Sequence, residues 1–113
     1  MSVDCSSVVA YGHILTEEEY YLLEAKFGEY LYEKLEEGNE DYSCHLICRN
    51  SYTDKKHQNF MLGDEVIYVS DGYFEQVGSC LSDKVFEKEI QEDIEKILGY
   101  PAECDYYAFA KWW

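Results

Sequence analysis

A chain of 113 residues with 24 acidic and only 9 basic side chains carries a net charge of −15, which excludes direct binding to nucleic acid: phosphate contacts need clustered Lys and Arg, and the one short basic cluster is Lys55, Lys56 and His57. The length fits one acidic α+β domain over residues 1–113, and a composition that is 47% hydrophobic and 17% aromatic, with 12 tyrosines, excludes a disordered acidic tail. No apolar run approaches the roughly 20 residues of a membrane span, the start lacks the basic-then-apolar pattern of a signal peptide, and an odd number of scattered cysteines suits free thiols, so a cytoplasmic protein is expected.

Val8, Val9, Tyr11, Ile14 and Leu15 give residues 6–15 the β-branched and aromatic character of a strand, with Gly12 marking a bulge or a close approach. The strand feeds a helix. Thr16 followed by Glu19 is a capping box, Glu17 and Glu18 suit the positive helix N-terminus, and Gly38 is a C-terminal stop, so one helix is predicted over 16–38. Tyr20, Leu23, Phe27, Tyr30, Leu31 and Leu35 recur at three- and four-residue steps on its core side. Glu18, Glu29, Glu33 and Glu36 take the opposite flank with Leu22 and Lys26, and Glu37 lies near its edge.

After a polar link at 39–41, residues 42–52 alternate as a strand, with Tyr42, Cys44, Leu46 and Cys48 on the buried side and Ser43, His45, Ile47 and Arg49 on the other. Residues 53–59 read as a hairpin loop. A return strand begins at Phe60, with Gly63-Asp64 as a bulge or tight turn before residues 65–70; Asp71-Gly72 signals a turn, and 73–77 a short strand or extended segment. Ser82 is the expected N-cap of a second helix, with Asp83 in its first turn. Phe86, Ile90, Ile94, Ile97 and Leu98 form its apolar stripe, Glu87, Glu89, Glu92, Asp93 and Glu95 much of the rest, and Gly99 and Pro101 end it. The aromatic residues 106–113 predict a central or partner-facing strand. The order strand, helix, strand, strand, helix, strand is the ferredoxin-like split β-α-β pattern (βαββαβ), with a mainly antiparallel sheet and two helices on one face; extra short strands near Gly63 and Asp71 would make it a five- or six-stranded α+β sheet.

Cys44 and Cys48 with His45 between them suggest a metal, but the spacing is not that of a zinc knuckle and no second pair exists, which favours buried reduced thiols. His13, His45 and His57 belong to no nucleophile elbow, phosphate loop or histidine–carboxylate motif, so no enzyme, no catalytic residue, no cofactor and no metal is expected. The acidic surface remains. Carboxylates at successive helical turns match the spacing of nucleic-acid phosphates about as well as they match an ordinary solvated face. Interleaved aromatics at Tyr21, Tyr32, Tyr73, Phe74, Tyr106, Tyr107, Trp112 and Trp113 favour a binding surface, because Tyr and Trp are common interface anchors. The expected partner-binding residues are Glu18, Glu29, Glu33, Glu36, Glu37, Glu87, Glu89, Glu92, Asp93, Glu95, Tyr73, Trp112 and Trp113.

Tyr11-Gly12, then Leu15 to Tyr20, and the Trp112-Trp113 end resemble the small acidic proteins of bacteriophages and mobile elements. That resemblance implies a role in evading host defence, as in anti-CRISPR and anti-restriction proteins, some of which mimic DNA. The partner it implies is a basic, nucleic-acid-binding host protein such as a CRISPR effector, met in the host cytoplasm by a monomer or homodimer, with no membrane involved. Two other roles stay open: a small-ligand protein sequestering a nucleotide defence signal, for which Arg49, Lys55, Lys56 and Lys111 are the phosphate candidates, and a structural or regulatory phage interaction module.

Overall fold

The computed structural model describes residues 5–48, 60–70 and 83–112. The expected 53–59 loop, the Asp71-Gly72 turn, the 73–77 segment and the Ser82 cap lie outside them. The fold is α+β. Strand β1 (Cys5–Ile14) runs into helix α1 (Glu17–Phe27), a turn of 3-10 helix at Gly28–Tyr30 and a short helix α2 (Leu31–Lys34). Strands β2 (His45–Cys48) and β3 (Phe60–Ser70), helix α3 (Lys84–Leu98) and strand β4 (Asp105–Trp112) follow. The four strands form an antiparallel sheet in the order β2-β3-β1-β4.

Local chemistry accounts for the helix ends. The Glu19 N–H donates to Thr16 Oγ1 and the Thr16 N–H to Glu19 Oε1, completing the capping box. At α3 the cap is Asp83, whose Oδ1 accepts from the N–H groups of Val85 and Phe86; a carboxylate there adds favourable charge at the helix N-terminus. Gly99 closes α3 with φ +89°.

Three expectations are corrected. The helix predicted over 16–38 is not continuous: Gly28 adopts φ +60°, the turn after it tightens, and helix ends at Lys34 rather than near Gly38. The change of pitch keeps Leu31 and Leu35 buried but turns Tyr30 outward to 53% exposure. Gly63-Asp64 makes no turn, since β3 runs unbroken. Val9 pairs with Ile67 and Ala10 with Glu65, so the bulge residue is Val66. Gly63 instead lies opposite Gly12, where the backbones come so close that a Cβ on Gly12 would run into the Leu62 carbonyl. Lastly, Asp83, expected in the first turn of the second helix, is its N-cap. The last strand, expected to be central or partner-facing, ends the described sheet beside β1.

The core forms where both helical segments cover one sheet face. Tyr11, Leu15, Phe60 and Leu62 from the sheet meet Leu23, Leu31 and Leu35 from the first segment and Ile90, Ile94 and Ile97 from α3. Strand alternation sends Ala10, Ile47 and Met61 to the other face, where Tyr107 and Phe109 pack on them. No described helix is long and apolar enough to cross a membrane.

Candidate functional site

The two helical segments share one side of the sheet, so their solvent-facing carboxylates lie on one side of the molecule. Glu18, Glu29, Glu33, Glu89, Glu92 and Glu95 are exposed there; Glu36 and Glu37, past the end of α2, are exposed too, but the Glu37 carboxylate lies beside His45 and Glu65. Two expected site residues turn inward. Glu87 accepts a 2.7 Å hydrogen bond from the Tyr106 hydroxyl, and Asp93 Oδ2 accepts from the N–H and hydroxyl of Ser43 at 2.6 and 2.7 Å. Both tie α3 to other elements, and the reason is position: each sits on the flank of α3 that meets a neighbouring segment. Burial alone would raise the Asp93 carboxyl, but the Ser43 hydrogen bonds and Lys96 outweigh it and hold it below its ordinary value. Tyr73 and Trp113 lie outside the described residues; Trp112 is the last residue of β4.

Exposed aromatic and apolar area lies among these acids. Tyr21, Leu22, Tyr30 and Tyr32 are 51%, 44%, 53% and 56% exposed. Leu22 was legible as an outward position, whereas Tyr30 reached the surface only through the break at Gly28. Tyr106, expected among the interface aromatics, is packed inside, its ring 4.7 Å from that of Tyr11. Tyr107 is half-buried on the opposite sheet face.

Two polar clusters were missed in the sequence. In the first, Glu19 is 9% exposed and accepts from the Thr16 N–H, from His13 Nε2 at 2.8 Å and from the Tyr100 hydroxyl at 2.6 Å. Burial pushes its carboxyl up, but these three donors outweigh burial and the net position is below the ordinary value. The same bond pushes the Tyr100 hydroxyl up to about 12. His13 Nδ1 faces the Glu103 carbonyl at 2.8 Å, so this cluster ties β1, α1 and the segment before β4 together.

In the second cluster, His45, 6% exposed, faces Glu65 Oε1 through Nε2 at 3.3 Å and Asp64 Oδ1 through Nδ1 at 3.8 Å. Glu37 joins them: it, His45 and Glu65 each offer a ligand atom within 4.8 Å of the others. Burial raises the Asp64 carboxyl and its acidic neighbours Glu65 and Glu37 add to the rise, with His45 opposing. The grouping of His45 with Cys44 and Cys48 does not form. Cys44 and Cys48 face the helices in the main core, strand alternation puts His45 on the other side, and burial pushes the Cys44 thiol up to about 12.

Comparison of the chain with protein-family models, with curated proteins and with solved structures finds no match in any of the three.

Proposed function

We propose that the protein is a non-enzymatic inhibitor that binds the basic nucleic-acid groove of a host defence nuclease, such as a CRISPR effector, in the manner of phage anti-defence proteins. The observation that carries this reading is the interleaving of exposed carboxylates with exposed aromatic and aliphatic side chains on the first helical segment: Glu18, Tyr21, Leu22, Glu29, Tyr30, Tyr32 and Glu33. Carboxylates steer a −15 chain toward Lys and Arg, and desolvated rings slow its departure once docked. Glu89, Glu92 and Glu95 of α3 extend the acidic surface; Glu87 and Asp93, held by Tyr106 and Ser43, act as supports. The fold that presents this surface is read as ferredoxin-like, a reading supported by the neighbour order β2-β3-β1-β4 and by a helical crossover after β1 and another after β3.

The test is binding to a panel of purified CRISPR and restriction nucleases at about 50 and about 500 mM NaCl, with guide RNA or target DNA as competitor. The expected result is capture of at least one nuclease that nucleic acid displaces, with affinity falling at least about tenfold at the higher salt. A Glu29→Lys/Glu33→Lys chain should lose binding while keeping its fold. Binding that ignores both salt and competitor, or no binding across the panel, would sink the proposal.

A further inference from the structure

The cluster around His45 has a chemistry that nuclease inhibition does not use. Glu37 comes from the turn after α2, His45 from β2 and Glu65 from β3, and their ligand atoms converge within 4.8 Å. Donor atoms around a six-coordinate ion at about 2.1 Å stand roughly 3.0 Å apart when adjacent and about 4.2 Å apart when opposite, so a small closure brings these three onto one ion. The cluster is more than a group of acids, since a histidine nine-tenths buried aims its Nε2 into it, 3.3 Å from Glu65.

We propose that Glu37, His45 and Glu65 bind a divalent transition-metal ion. One imidazole and two carboxylates suit Zn²⁺, Mn²⁺ or Fe²⁺ better than Ca²⁺ or Mg²⁺, which take oxygen ligands almost exclusively. Asp64 stands at the other ring nitrogen of His45, on the side where a carboxylate commonly orients a ligating histidine. Glu37 is exposed, which gives the ion access from solvent and leaves coordination positions for water. Bound there, the ion ties the turn after α2 to the β2–β3 edge of the sheet.

The experiment is a calorimetric titration of the full chain, stripped with chelator, with Mn²⁺ and separately with Zn²⁺. Mn²⁺ discriminates against the five cysteines, because it takes nitrogen and oxygen in preference to thiolate. Saturable binding of one ion per chain is expected, with the thermal midpoint rising by at least about 3 °C when metal is 100-fold above Kd. Glu37→Gln, at an exposed position where folding is undisturbed, should weaken binding at least about tenfold, as should Glu65→Gln, while Glu40→Gln in the same turn region leaves it unchanged. Failure of both ions to saturate, or a loss smaller than that in the two site variants, would overturn the assignment. So would an equal loss in Glu40→Gln, which would mean a diffuse acidic field rather than a site.

Discussion

At the scale of single residues, the polar groups that matter most to stability are those the fold has drawn inward. Glu19 sits below its ordinary value of 4.5 because three donors outweigh its burial. The unfolded chain therefore binds that proton more tightly, so the contribution of Glu19 is fully present above pH 4.5 and is lost as pH falls through the lower folded value. Asp93 acts in the same direction and Asp64, raised by burial, opposes them. The contribution of Glu19 is isolated by difference: Glu19→Gln should cost about 1–3 kcal/mol at neutral pH, and its deficit relative to the parent chain should shrink between about pH 5 and pH 3 in urea denaturation. A deficit that is constant with pH would remove the ionised carboxylate from the account. Gly12 is a second residue of this kind. Its Cβ would meet backbone on β3 rather than a side chain that can move aside, so Gly12→Ala should destabilise by at least about 2 kcal/mol in the same assay.

At the scale of elements, the first helical segment is governed by Gly28. Its φ of +60° and ψ of −137° end α1 with nothing within 4 Å of the position a Cβ would take, so the cost of Gly28→Ala is that of a backbone conformation L side chains rarely adopt, about 1–3 kcal/mol, and not of a clash with neighbours. The two helical segments are joined by Lys26, whose Nζ donates to the Ile97 carbonyl at 2.8 Å and the Lys96 carbonyl at 3.2 Å. A cation there satisfies C-terminal carbonyls of α3 and complements the helix dipole. Lys26→Met keeps most of the apolar stem and removes the charge; the expected loss is about 1 kcal/mol, read as a shift in the urea midpoint at constant slope. An unchanged midpoint would show that water caps those carbonyls equally well.

At the scale of the whole molecule, charge dominates. A net −15 on one small domain repels itself, and salt screens that repulsion, so the thermal midpoint should rise by a few degrees between about 10 and about 300 mM NaCl. The proposed docking has the opposite dependence, because the attraction it relies on is screened too. Stability that rises with salt while partner affinity falls is the combined signature; a midpoint that drops with NaCl would mean that the ion pairs Lys84–Glu87, Lys88–Glu92 and Lys96–Asp93 outweigh the repulsion.

Features legible in the sequence are those set by neighbours within one turn or one pleat. The Thr16–Glu19 box, the stripe Phe86, Ile90, Ile94, Ile97 and Leu98 and the Gly99 stop all follow from spacings of a few residues, and all are present. Tertiary structure alone decided which polar groups left the surface. Tyr100 reaches Glu19 across 81 positions, Ser43 reaches Asp93 across 50, and His45 meets Glu65 across 20. No local pattern separates these carboxylates from their exposed neighbours, because a helix or strand specifies the face a side chain takes and only packing specifies what lies opposite that face. The net charge was set by composition; the cluster at Glu37, His45 and Glu65 exists only because three elements were folded to one edge of a sheet.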